Sequence, residues 1–203
     1  MEKVDGQKSN EMKVILLGNS GVGKTNLIKT TMGFEFEENT NTTISGTFSQ
    51  KPITIGNITY CLNLWDTAGQ EKYESITKIF LKKAEIVVFV YDITDLESFN
   101  QLEKWIKMSE EMIDNDHVCG IVGNKADLYI KEQVKEETGR KYAESKKMQF
   151  QLVSAKASPS EFIYFLKELV MEHKGCSKLE SKEAIILNKK TYKSSNKKNK
   201  CNC

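Results

Sequence analysis

The sequence predicts an α/β domain: a mostly parallel six-stranded sheet with one antiparallel edge strand and helices on both faces. Three observations carry this. Short apolar runs alternate with stretches of helical periodicity along most of the chain, the pattern of strands joined by crossover helices. The run 85–91 is almost wholly apolar, as in strands covered on both faces. Two strand-like runs, 47–55 and 58–65, meet at Gly56-Asn57, a pair that favours a tight hairpin and hence one antiparallel pairing.

Taken in order, residues 1–10 are polar and are read as a disordered N-terminus. The first strand, 12–17, runs into Gly18-Asn19-Ser20-Gly21-Val22-Gly23-Lys24-Thr25, and a helix follows to about Met32. The spacing G-x-x-x-x-G-K-[ST] between a strand and a helix is a P-loop in its proper context. Its backbone N–H groups curl inward around phosphate oxygens, and the helix N-terminus adds its positive end. Lys24 supplies a point charge for β- and γ-phosphates, and the Thr25 hydroxyl can ligate Mg²⁺. The competing account, a chance glycine turn with a surface lysine, leaves the flanking strand and helix unexplained. Ser20, Gly21, Val22, Gly23, Lys24 and Thr25 are the first candidate binding residues, and the expected fold is that of a P-loop NTPase.

Residues 33–46 are rich in Asn, Thr and Glu and read as a long loop of the functional kind. After the hairpin, 66–80 reads as a second loop, and 85–91 as a strand. Thr94-Asp95-Leu96-Glu97 has a capping-box pattern and opens a helix carrying Phe99, Leu102, Trp105, Ile106 and Ile113 at helical spacing. A short strand at 118–122, a helix at 134–147 and a last strand at 150–153 follow. Ser158-Pro159-Ser160-Glu161 is a second capping-box pattern, with Pro at the first helical position of a helix to about His173.

The chain has 203 residues, 39% hydrophobic and 29% charged, which suits one globular domain with a tail. No run of eighteen apolar residues occurs, so no transmembrane helix is expected, and the polar start gives no sign of a secretory signal. Five cysteines show no paired framework, which fits a reducing compartment, with Cys61 and Cys119 as small core residues. Charge is uneven: from Gly175 onward eight lysines and two glutamates give +6, leaving −4 for the rest of a chain of net charge +2. The expected organisation is a domain over 11–174 and a flexible basic tail over 175–203.

Three further motifs sit at strand ends, where ligands bind in such sheets. Asp66-Thr67-Ala68-Gly69-Gln70 follows an apolar strand. Asp66 there can hold Mg²⁺, Gly69 can offer its N–H to a γ-phosphate, and Gln70 can orient an attacking water. Asn124-Lys125-Ala126-Asp127 follows the strand 118–122. The Asp127 carboxylate can accept from the N1–H and 2-amino group of guanine, a donor pair adenine lacks, and so selects GTP over ATP. Asn124 can tie this loop to the P-loop, and Lys125 can lay its stem along the base. Ser154-Ala155-Lys156, after the last strand, can add a backbone N–H to the guanine O6. D-x-x-G or N-K-x-D in isolation is commonly only a solvated turn; here both follow a P-loop.

G-x-x-x-x-G-K-T, a loop threonine, W-D-T-A-G-Q, N-K-x-D and S-A-K stand in the order and spacing of the Ras superfamily, which the chain resembles over about 12–174. It most resembles the Rab branch, in Ile44-Ser45-Gly46-Thr47-Phe48, Cys61-Leu62-Asn63-Leu64-Trp65, Lys72-Tyr73-Glu74-Ser75-Ile76-Thr77, Phe80-Leu81-Lys82-Lys83-Ala84 and Val90-Tyr91-Asp92-Ile93-Thr94. Cys201-Asn202-Cys203 is similar to the Rab C-x-C prenylation signal; the alternative is a plain basic tail with free thiols.

The resemblance implies a small GTPase with GTP or GDP and Mg²⁺ bound, a switch in vesicle and membrane traffic. Thr43 would reach Mg²⁺ and the γ-phosphate in the GTP form, joining Thr25 and Asp66 as metal ligands and Lys24 and Gln70 as catalytic groups. Phe36 would pack edge-on to guanine; an ordinary loop anchor is the alternative. Phe48, Trp65 and Phe80 would form an effector-binding triad, against half-buried strand packing. Two geranylgeranyl groups on Cys201 and Cys203 would anchor the protein to the cytoplasmic face of an intracellular membrane, from which it cycles through the cytosol.

The one arginine, Arg140, lies on a predicted helix, so a GTPase-activating protein would supply an arginine in trans. An exchange factor, a chaperone of prenylated Rab proteins (escort protein or GDI) and effectors complete the implied partners, with no nucleic acid among them. Ser45-Gly46-Thr47 departs from the Rab pattern and makes the effector surface unusual; Leu152-Val153 and Ala157-Ser158-Pro159-Ser160 depart from it as well, leaving partner identity open. A GTP-binding interaction module with little hydrolysis is the alternative function; an ATP-using P-loop enzyme conflicts with Asp127.

Overall fold

The computed structural model describes residues 10–38, 43, 46–67, 69, 74–113 and 116–175. Six strands form one sheet: β1 (Glu11–Leu17), β2 (Thr47–Ile55), β3 (Ile58–Asp66), β4 (Ile86–Asp92), β5 (Val118–Asn124) and β6 (Gln149–Leu152). Their order is β2-β3-β1-β4-β5-β6. β2 runs antiparallel to β3, with Ile55 opposite Ile58 across the Gly56-Asn57 turn, and every other neighbouring pair is parallel. The sheet is the one the sequence predicts.

Alternation along β1 shows how both faces are covered. Met12, Val14 and Leu16 point into one core with α1 (Lys24–Thr31) and α6 (Pro159–His173). Ile15 and Leu17 point into the other, with α4 (Leu102–Met112) and α5 (Glu136–Ser145). β4 is buried at all seven positions, as its unbroken apolar run requires. In α5, Gly139 is a packing necessity: a β-carbon there would lie 2.5 Å from the Tyr91 hydroxyl and 2.7 Å from the Phe150 ring.

The helices differ from expectation in several places. The stretch expected as a loop over 66–80 contains α2 (Glu74–Leu81). The helix expected from Thr94 to Ile113 is two: α3 (Leu96–Asn100) and α4, divided at Gln101. Neither capping box forms. Asp95, not Thr94, caps α3 by accepting from the Glu97 N–H, while the Thr94 hydroxyl donates to Asp92. Ser158 makes no side-chain cap, although Pro159 does open α6. A 3₁₀ helix, Ala126–Lys131, follows β5 where no helix was expected.

Because five strands are parallel, their C-terminal ends share one edge of the sheet. The segments after β1, β3, β5 and β6 therefore emerge side by side, and the four motifs meet there. Among the described residues, no helix is long and apolar enough to cross a membrane.

Candidate functional site

A cavity of about 400 Å³ opens at this edge. It is lined from the loop after β1 by Ser20, Gly21 and Gly23, from the first turn of α1 by Lys24 and Thr25, from the loop after α1 by Phe36, Glu38 and Thr43, and from the other strand ends by Gly69, Lys125, Asp127 and Lys156. Asn124 and Ala155 line it too. Of the sequence-predicted binding residues, Val22 turns its side chain into the core; its carbonyl accepts from Asn124 Nδ2 at 2.8 Å. Gln70, Cys201 and Cys203 lie outside the described residues.

The loop after β1 needs its glycines. Gly23 has φ 95°, and a β-carbon there would lie 2.4 Å from Asn124 Nδ2, breaking the link just described. Gly69 rests directly on the same loop: its β-carbon would lie 2.4 Å from both the carbonyl carbon of Asn19 and the nitrogen of Ser20. The D-x-x-G segment thus approaches the P-loop backbone to backbone.

Lys24 is 5% exposed, and its ammonium donates to the carbonyls of Gly18 (2.7 Å) and Asn19 (2.9 Å). Burial lowers its pKa from 10.5 to about 8, against the opposing pull of Asp66. Between those values the unfolded chain holds more protons than the folded one, so stability rises with pH. Order-of-magnitude linkage makes the gain about 3 kcal/mol, complete only above the unfolded value. Urea denaturation of the ligand-free protein should therefore show stability climbing between pH 8 and 10.5. Burial lowers Lys13 and Lys167 too, so a Lys24→Met variant should climb less than the parent; an equal climb in both would refute the buried charge.

Asp66, Thr25 and Thr43 converge. Thr25 Oγ1 donates to Asp66 Oδ2 at 2.7 Å, Thr43 Oγ1 reaches the same oxygen at 3.1 Å, and the two hydroxyls are 3.1 Å apart. Burial pushes the Asp66 carboxyl above its ordinary pKa, opposed by the Thr25 hydrogen bond, the Lys24 charge and the Thr43 hydrogen bond. Asp66 Oδ1 is buried without a hydrogen-bond partner among the described residues. Two hydroxyls and a carboxylate with a bare oxygen form a hard-oxygen donor set, and such a set fits Mg²⁺.

At the other end, Asp127 Oδ1 accepts from Ser154 Oγ at 2.5 Å, and Ser154 Oγ in turn accepts from the Ala157 N–H at 2.8 Å. Asn124 Oδ1 accepts from the Ala155 N–H, so one amide ties the P-loop to the S-A-K loop. Lys125, in left-handed conformation at φ 64°, ion-pairs with Asp92 at 2.6 Å. Lys156 pairs with Glu38 at 2.8 Å and stands over the Phe36 ring at 5.6 Å. Thr67, from the D-T-A-G-Q motif, lines the cavity as well, as do Asn26 and Leu128; no motif marks Glu38, Asn26 or Leu128 in the sequence.

Phe48 and Trp65 of the sheet and Phe80 of α2 form one cluster of tilted rings, with centroids 5.3 and 5.0 Å apart. Phe48 and Trp65 are cross-strand partners, and Phe48 remains 48% exposed. Arg140 lies on α5, paired with Glu136 and against Phe150, and is absent from the cavity lining.

A family model described as the Ras family matches residues 13–170. The chain is similar to Ras-related protein Rab-11B of Dictyostelium discoideum, 44% identical over 143 residues, which is 70% of this chain and 65% of that protein. It is similar to Rab-11C of the same organism at 38% over 143 residues, 70% of this chain and 64% of that one. With Ras-related protein Rab-17 of Mus musculus it shares 35% over 182 residues, 87% of this chain and 85% of the other. The match to the two Dictyostelium proteins thus spans just under two thirds of their length.

Proposed function

The chain belongs to the Ras family of small GTPases, in its Rab group, and from that premise we propose that it is a GTP-binding and GTP-hydrolysing switch of intracellular membrane traffic. One observation carries the reading. A single cavity is lined by Lys24, Thr25 and Thr43, suited to phosphates and a cation, and also by Lys125 and Asp127, suited to a purine that presents two donors.

In this reading P-loop N–H groups and Lys24 cradle the β- and γ-phosphates. Thr25, Thr43 and Asp66 would hold Mg²⁺, which would supply positive charge to the phosphate oxygens. Thr43 and Gly69 act as contacts that sense the γ-phosphate, so the two loops order with GTP and relax with GDP. Gln70 orients the water for in-line attack on phosphorus. Asp127 accepts from guanine, Ala155 offers its N–H to the O6, Phe36 packs against the base, and Lys125 and Lys156 flank it.

Arg140 is engaged on α5, so the stabilising guanidinium comes from an activating protein. Residues 11–174 serve as the GTPase domain. Residues 175–203 serve as a basic tail lipidated at Cys201 and Cys203, giving two anchors and a cytoplasmic membrane surface as destination. An exchange factor, a prenyl-binding chaperone and effectors docking at Phe48, Trp65 and Phe80 are the partners.

Single-turnover hydrolysis of GTP, with and without a Rab activating protein, tests this. The expected result is slow hydrolysis alone, acceleration by about 10³ or more with the activator, loss of acceleration in Gln70→Leu, and no displacement of GTP by excess ATP. Displacement by ATP, or acceleration that survives Gln70→Leu, would overturn the assignment.

A further inference from the structure

Asn19 stands at a junction inside the P-loop. Its backbone carbonyl accepts from Lys24 at 2.9 Å, and its peptide link to Ser20 is the surface on which Gly69 rests. Its side chain points the other way, to a residue 86 positions distant: Trp105 Nε1 donates to Asn19 Oδ1 at 2.8 Å. The indole N–H is a donor with no acceptor capacity, so this contact fixes which face the Asn19 amide presents.

Trp105 is 2% exposed in the body of α4. That helix packs on β4 and on α2, the helix that follows the D-x-x-G loop. One hydrogen bond therefore joins a helix packed on the sheet to the peptide at which Lys24 and Gly69 meet. Nothing in the P-loop motif calls for it, since the motif leaves position 19 free.

We propose that Trp105 is a positioning residue for the phosphate site, acting through Asn19 to hold the Asn19–Ser20 peptide against Gly69 and beneath Lys24. The proposal rests on the nucleotide-binding reading above. A helix that contacts α2 would thereby set the P-loop's grip on phosphate, so a partner that shifts α2 and α4 changes nucleotide release without touching the cavity. Such coupling needs only a packed element joined to the site by a short, partly buried polar contact.

The test measures release of fluorescent N-methylanthraniloyl-GDP from the full chain and its Trp105→Phe, Asn19→Ala, Asn19→Asp and double Trp105→Phe/Asn19→Ala variants. Asn19→Ala and Trp105→Phe should each speed release by roughly threefold to tenfold, the range one net hydrogen bond supports. The double variant should be no faster than the faster single one, because both remove the same contact. Asn19→Asp keeps the acceptor and should fall nearer the parent than Asn19→Ala does. The chain has two tryptophans, so two indole N–H signals appear in a ¹⁵N spectrum, and Asn19→Ala should move the one that Trp105→Phe deletes.

Parent-like release in Asn19→Ala, multiplying effects in the double variant, or an unmoved indole signal overturns the proposal. If Trp105→Phe fails to fold, the two Asn19 variants decide alone. If the parent does not bind the probe, the nucleotide reading fails first and this one with it; a binding parent with unchanged variants sinks only this one.

Discussion

Asp127→Asn is expected to lower GTP affinity by about 10²- to 10⁴-fold and to favour xanthosine triphosphate instead. The protein side of the carboxylate is already committed, since Asp127 Oδ1 accepts from Ser154 Oγ. An asparagine would turn its oxygen to that hydroxyl and present its NH₂ to the ligand. Guanine offers two donors there, so donor would meet donor. Xanthine offers a carbonyl at the same position and would be matched. Each hydrogen bond to a charged group carries about 1.5–3 kcal/mol, and two are lost. Equilibrium titration with both nucleotides checks this. Unchanged GTP affinity would show that Asp127 does not read the base.

Lys24→Met should cost about 10²- to 10³-fold in nucleotide affinity with little change in fold. Methionine, one atom shorter, nearly keeps the volume and fills the space flexibly but carries no charge for phosphate oxygens. The ammonium is already desolvated at 5% exposure, with its pKa lowered to about 8 by burial. An arriving polyphosphate thus meets a cation that water no longer screens, which strengthens the pairing. Calorimetric titration of both proteins with GDP at pH 7 measures the difference. A loss under tenfold would mean that the P-loop amides bind phosphate without help from Lys24.

The strands were legible because each is a short apolar run bounded by turn residues, and the four motifs fall where those runs end. α2 was not legible: two turns give too little periodicity to read, and its placement against α4 is a tertiary contact. The break at Gln101 left no trace because its φ and ψ of −78° and −6° stay close to helical, so Phe99, Leu102 and Trp105 keep their spacing across it. The 3₁₀ helix carries Leu128, Tyr129 and Ile130 all exposed, with no apolar stripe to announce it. Within the site, motifs named the residues that would meet ligand. They could not name Asn19–Trp105, Lys125–Asp92 or Lys156–Glu38, since each pairs a motif residue with one chosen only by the completed fold.

The ties that close the cavity also set when it can exist during synthesis. Asn124 reaches back 102 residues to Val22, and Lys156 reaches back 118 to Glu38. A nascent chain emerges N-terminus first, so the P-loop leaves the ribosome long before either partner. Until β6 and the S-A-K loop have emerged, Asp127 lacks Ser154 and Asn124 lacks Ala155. A ligand of this cavity therefore rewards the chain only once the S-A-K loop has emerged, and its binding to a growing polypeptide would mark the moment the last strand joins the sheet.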